Sequence, residues 1–194
     1  MNEQEIKPMG TLVPDTFAAG IASGWNAFEA HSRELPKQMT ADVVIVGTGA
    51  GGGITAEICA KAGLKVLMIE EGPLKTSKDF KMLESVAYPT LYQEGAGRKT
   101  ADKAINILQG RTVGGSTTVN WTSSFRTPAD TLAFWQSRFA LKDMTVENMA
   151  PWFEQAERRL NIADWQVPPN ENNDILRRGA EAKGISWGAI RRNV

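Results

Sequence analysis

Two glycine-rich stretches carry the residue types that could do chemistry. The first is Gly47-Thr48-Gly49-Ala50-Gly51-Gly52, a match to G-x-G-x-x-G. Its context gives it meaning, because it follows the apolar, β-branched run Ala41 to Gly47 and opens the small-residue run Gly53 to Gly63. Gly47 permits a tight turn, Gly49 lets a pyrophosphate approach the backbone, and Gly52 lets a helix pack closely on a strand. Ala50 and Gly51 lie where the unpaired N–H groups and dipole of a starting helix stabilise phosphate. An acid is expected at the end of the next strand to accept hydrogen bonds from ribose hydroxyls. Glu70, eighteen residues after Gly52, holds that place and disfavours a 2′-phosphate, while Glu71 reads as a solvated neighbour. These residues allow NAD and FAD equally.

The second stretch is "ILQGRTVGGSTTVNW", Ile107 to Trp121. Between Val113 and Val119 stand only Gly114, Gly115, Ser116, Thr117 and Thr118. Such a run packs a core poorly, and its threonines make it too stiff for a linker. It suits a backbone that something large, flat or oxygen-rich must approach.

The elements around these motifs are those of an α/β protein. "ADVVIVG" (41–47) and "LKVLMIE" (64–70) read as strands buried on both faces of a parallel sheet. "GITAEICAKAG" (53–63) reads as the crossover helix, with Gly63 as its stop. The result is a Rossmann-like βαβ unit with an incomplete sheet, since further strands are not evident before Val194. The stretch 74–103 reads as a loop or lid containing some helix. Thr127-Pro128-Ala129-Asp130 signals a helix start with threonine as cap, and Leu132, Trp135 and Phe139 share a face. Pro151 reads as the opening of another helix bearing Trp152, Phe153, Ala156 and Leu160, and 173–184 as a third, closed by Gly184. Trp135 and Trp152 read as core residues rather than a cofactor box. Phe17 to His31 reads as a weakly amphipathic helix, with Phe17, Ile21, Trp25 and Phe28 on the side that packs on the domain; a surface for a partner or membrane is the alternative.

Here the chain resembles the glucose–methanol–choline (GMC) flavin oxidoreductases. The resemblance rests on "ADVVIVGTGAGGGITAEICAKAGLKVLMIEEGP" and on "GRTVGGSTTVNW", and continues through "MAPWFEQAERRLNI" to "RRNV". It implies FAD as cofactor and oxidation of an alcohol substrate by hydride transfer to the flavin. The second motif would run along the pyrophosphate and under the flavin ring: Gly114 and Gly115 would let the backbone lie against it, Ser116 and Thr117 would offer donors, and Asn120 would bond near the reactive edge. Arg111 is either structural or cofactor-facing. Val119 stands where some relatives carry a histidine that binds FAD covalently, so non-covalent FAD is expected. The aromatic residue and proline expected after Asn120 come late, as Phe125 and Pro128, which points towards the long-chain alcohol oxidases and dehydrogenases.

The resemblance places the general base, a histidine, in a later part of longer chains. The one histidine here, His31, lies upstream of the first motif and is read as non-catalytic. We therefore expect an N-terminal portion of an FAD-dependent alcohol dehydrogenase or oxidase, with oxygen, a quinone or a cytochrome open as acceptor. Its organisation would be a helical extension at 1–40, an FAD-binding domain at 41–165 with the lid at 74–103, and the start of a following region at 166–194. The competing readings are a non-catalytic FAD or ADP binding module that stands alone or is a subunit completed by a partner, and an NAD-dependent dehydrogenase.

Composition narrows the partners. Among 194 residues, Lys+Arg 22 balances Asp+Glu 22, so no basic excess points to nucleic acid. A single cysteine, Cys59, precludes a disulfide framework within the chain and fits a reducing compartment; it reads as a packing residue. No apolar run approaches the roughly 18 residues of a membrane span. A cytoplasmic location is the expectation.

Overall fold

The computed structural model describes residues 15–30 and 36–193. The chain forms two compact units, Met1–Asn120 and Trp121–Val194.

The first unit opens with α1, Thr16–Ala22, capped by the Asp15 carboxylate, which accepts a hydrogen bond from the Ala18 amide at 2.9 Å. This helix is shorter than the expected Phe17–His31 segment. Gly24 turns left-handed (φ 95°), and the Trp25 and Gly24 amides donate back to the Gly20 and Ile21 carbonyls, both at 3.0 Å. That paired closure ends a helix. Trp25 then meets Phe17 edge-on, with ring centroids 5.9 Å apart. His31 lies outside the described residues.

β1 (Val43–Val46), α2 (Ala50–Lys61) and β2 (Val66–Ile69) follow, and the strands pair in parallel with Val43 opposite Val66 and Val46 opposite Ile69. The expected β-α-β order is present. Burial on both sheet faces is not. Ile45 lies towards α2, but Val46 on the other face is 84% exposed and its partner Ile69 is 51% exposed. An apolar run signals strand, yet it cannot say whether both faces are covered within the same chain.

The segment expected as a lid contains α3 (Glu84–Leu91) and a 3₁₀ turn at Gln93–Ala96. It returns to the second motif: the Arg111 amide donates to the Leu91 carbonyl at 2.7 Å and the Gln93 amide to the Gln109 carbonyl at 2.9 Å. Leu91 is buried there. One helical turn, α4 (Ser116–Val119), ends the unit.

The second unit holds α5 (Ala129–Phe139), α6 (Val146–Arg159) and α7 (Glu171–Ala182), with the short antiparallel strands β3 (Ala163–Asp164) and β4 (Arg191–Arg192). Two expected starts are corrected. Pro128, not Thr127, occupies the cap position of α5, held extended at ψ 149°. Pro151 lies inside α6, which begins five residues earlier, where the Thr145 hydroxyl accepts from the Asn148 amide at 3.1 Å. Proline is tolerated best in a first turn, which makes it look like a start; here α6 forgoes one backbone bond and continues. α7 agrees with the expected 173–184 helix within two residues and closes at Gly184 (φ 65°).

The reading of Trp152 as core is also corrected. Trp121, Trp152 and Trp187 are more than half exposed, and Leu132 is the buried apolar residue of this unit among those described. Trp187 and Trp165 instead lie beneath the guanidinium groups of Arg177 and Arg192, at 5.3 and 4.9 Å.

Candidate functional site

The residues singled out by the two motifs meet in the first unit. At the first, each glycine has a distinct environment. Gly47 has φ 91°, which the turn out of β1 demands. A methyl group on Gly52 would lie 2.0 Å from the Gly47 carbonyl oxygen, so helix and strand approach as closely as backbone allows. Gly49 and Gly51 have open space where a side chain would stand. α2 starts at Gly49 with no side-chain cap and no acid in its first turn. By contrast α1, α6 and α7 are capped by side chains, and α3 and α5, also without a side-chain cap, carry an acid in the first turn. The N-terminus of α2 therefore keeps unanswered donors and an unopposed dipole on an open glycine surface.

Glu70 is half-buried at the end of β2. Its Oε2 accepts from the Thr48 amide at 2.8 Å and the Thr48 hydroxyl at 2.7 Å, and its Oε1 accepts from the Gly72 amide at 2.9 Å. Burial alone would raise its pKa. The donations from Thr48 and Gly72 outweigh that and hold it below the usual glutamate value. Glu71 is more than the solvated neighbour expected. It accepts a short hydrogen bond from Gln93 Nε2 and lies 3.5 Å from Arg111 Nε. Gln93 is distant in sequence, so spacing could not reveal that bridge. Arg111 donates as well to the Glu71 carbonyl at 3.5 Å, which gives it a structural partner.

The second motif packs on the first. Gly115 (φ 57°) directs its missing side chain at Gly49, whose Cα would be 3.0 Å from an added Cβ. Gly114 (φ 91°) faces Thr118 Oγ1 and donates its amide to Thr48 Oγ1 at 3.0 Å. The loop after β2 lies equally close: a methyl on Gly72 would sit 2.3 Å from the Arg111 carbonyl carbon, and the fully buried Thr112 donates its hydroxyl to the Pro73 carbonyl at 2.8 Å. The glycines at 114 and 115 thus have an internal reason to be glycine: they join motif to motif. Ser116 accepts from the Gly110 amide at 3.0 Å, and Thr117 donates to the Gly114 carbonyl. Ser116, Thr117 and Asn120 all remain exposed. Sequence reasoning passed over Thr48, because a middle position of G-x-G carries no signal of its own.

In the second unit a hollow of about 250 Å³ is lined by residues that include Phe125, Arg126, Phe153 and Glu157. It contains none of the residues above. Arg126 holds Glu157 through two bonds of 2.8 Å and Arg191 adds a third at 2.7 Å. The bonds from Arg126 and then Arg191 draw the Glu157 pKa down to about 2. Among the described residues no cluster of His, Cys, Asp and Glu suits a metal ion, and no helix is long and apolar enough to cross a membrane.

Comparison with known proteins places the chain in a family. The sequence profile described as GMC oxidoreductase matches residues 88–194. The chain belongs to the GMC oxidoreductase family, whose members are FAD-dependent. It is 36% identical over 152 residues to a long-chain-alcohol oxidase of Arabidopsis thaliana, covering 78% of this chain and 20% of that protein. An uncharacterized GMC-type oxidoreductase of Sinorhizobium fredii is 31% identical, over 80% of this chain and 31% of its own length. An oxygen-dependent choline dehydrogenase of Xanthomonas euvesicatoria is 25% identical, over 76% and 30%. The chain thus spans between a fifth and a third of these relatives.

The residues present suit FAD. The open surface at Gly49 and Gly51 leaves room for a pyrophosphate at an uncapped helix start, and a carboxylate stands at the end of β2.

Proposed function

We propose that this chain supplies the dinucleotide-binding part of an oxidoreductase that acts on the CH–OH group of an alcohol and holds FAD non-covalently. The observation that carries the reading is the uncapped N-terminus of α2, open at Gly49 and Gly51, with Glu70 beside it and the second glycine motif packed against it. When bound, FAD supplies the acceptor for a hydride from the alcohol carbon.

The chain's own residues bind and orient. The first-turn amides at Ala50, Gly51 and Gly52 bind the pyrophosphate together with the helix dipole. A carboxylate has about four lone-pair sites, and Glu70 uses three within the chain. The remaining one, on Oε1, accepts from a ribose hydroxyl. Ser116, Thr117 and Asn120 of the second motif are exposed polar residues next to Gly114 and Gly115 in the chain. Val119 has no nucleophilic atom, so the flavin stays unlinked there. The substrate class follows from the names of the plant relatives, long-chain-alcohol oxidases, and from the late positions of Phe125 and Pro128. No residue on this chain is assigned as the base.

A second reading is a dinucleotide-binding module that performs no chemistry. It is favoured by the fact that every residue placed in the site binds rather than transfers protons. One experiment separates the two: anaerobic addition of a long-chain primary alcohol to the intact native protein. Bleaching of the flavin absorption, with FAD released into the supernatant on acid precipitation, is the expected result. A bound flavin that no primary, secondary or sugar alcohol bleaches removes the enzyme reading. Flavin that stays in the acid pellet removes the non-covalent one.

A further inference from the structure

We infer that Thr48 is a positioning residue: its hydroxyl, oriented by Glu70, sets the second glycine motif in register on the first. Three bonds converge on this side chain and its backbone. The Thr48 amide and hydroxyl both donate to Glu70 Oε2, and the Gly114 amide donates to Thr48 Oγ1. A hydroxyl has one proton. An ionised carboxylate can only accept, so Glu70 takes that proton and leaves the oxygen lone pairs facing Gly114. The carboxylate thereby fixes a rotor that would otherwise be free to turn its proton towards the Gly114 amide and repel it.

The surroundings make this link matter. Gly114 and Gly115 have positive φ, and an added Cβ on Gly115 would stand 3.0 Å from Gly49 Cα, a tight contact. Backbone contacts of this kind are repulsive when too short and supply little directional hold. Other hydrogen bonds of the second motif reach Glu71, Pro73, Leu91, Tyr92 and Gln93, whereas the Gly114 to Thr48 bond reaches the first motif directly. Thr48 Oγ1 is thus a direct polar tie between the motifs. Glu70 then has two tasks, holding this tie and facing a ribose. The consequence for FAD rests on the function proposed above; the tie itself does not.

The test reads the tie in the intact native protein by hydrogen exchange at the Gly114 amide, and its consequence by the FAD dissociation constant. Thr48→Val keeps the side-chain shape and removes the hydroxyl. It should speed Gly114 exchange about tenfold and weaken FAD by about the same factor, the scale of one hydrogen bond. Thr48→Ser restores the hydroxyl and should return both readouts to within about twofold of wild type. Glu70→Gln places an amide donor against one set of chain donors, so it too should speed exchange at Gly114.

Unchanged Gly114 exchange in Thr48→Val overturns the inference, as does a Thr48→Ser protein that is not rescued. If Thr48→Val loses protection throughout α2 and β2, Glu70→Gln decides: faster exchange centred on Gly114 supports the tie, and no change there overturns it. A wild-type protein that binds no FAD would sink the proposed function and leave the exchange result standing, so the two failures are distinguishable.

Discussion

The glycine junction of the first unit and the Glu157 clasp of the second solve the same problem by opposite means. Each brings different elements of the chain together. At the junction, Gly52 on Gly47, Gly72 on Arg111 and Gly115 on Gly49 meet backbone to backbone, with the missing side chains as the enabling feature. At the clasp, Arg126 and Arg191 reach one carboxylate through long charged side chains that remain partly exposed. The first arrangement has no slack and brings together open amides for a ligand. The second has slack and joins α6 to β4 and the segment before α5.

The sharpest way to break this contrast is to add one methyl group at the junction. Gly52→Ala would put a carbon 2.0 Å from a carbonyl oxygen, and Gly72→Ala one 2.3 Å from backbone. Each should cost about 3 kcal/mol, the upper range for overpacking, read as a lowered thermal midpoint. Gly51→Ala is the control, because nothing stands within 4 Å of its added carbon. Its stability should match or exceed wild type by up to about 1 kcal/mol, since alanine is the better helix former.

The clasp should respond next, and through pH. Glu157 is held at about 2 against an ordinary value of 4.5. Its folded pKa is depressed, so its contribution is complete above about pH 4.5 and is lost as pH falls through about 2. Urea midpoints of wild type should decline across that window, and Glu157→Gln should remove this part of the decline. An identical pH profile in the variant would show that the clasp does not bear on stability.

Smaller effects complete the series. Thr145→Ala removes the cap of α6 and should cost about 1 kcal/mol in chemical denaturation. Lys61→Ala breaks the ion pair with Glu57, in which the lysine is 75% exposed. It should change stability by less than about 0.5 kcal/mol, as exposed pairs do.

The same contrast explains what could be read from sequence. The order of β1, α2 and β2 was legible because β-branched runs, a glycine motif and a glycine stop are local signals. The meeting of the two motifs was legible only through family resemblance, since residues 48, 70 and 114 carry no local cue for one another. Thr48 shows the limit: its importance lies in two partners that folding brings to it. In the second unit, helical periodicity located α5, α6 and α7, but the starts were misread at Pro128 and Pro151. Proline there marked a cap and an interior position, and propensity ranks cannot separate those from a first turn. The exposed Trp152 shows the same limit. An apolar face states that cover is favourable, not that the chain provides it.

The central claim is that the second glycine motif forms one FAD site with the first. FAD affinity of the intact native protein, compared in Gly115→Ala and Glu157→Gln, tests it most directly. Gly115→Ala presses a carbon to within 3.0 Å of Gly49 at a left-handed position, so a folded variant should bind FAD at least about tenfold more weakly than wild type. Glu157→Gln should bind it unchanged. A folded Gly115→Ala protein with wild-type FAD affinity would contradict the account.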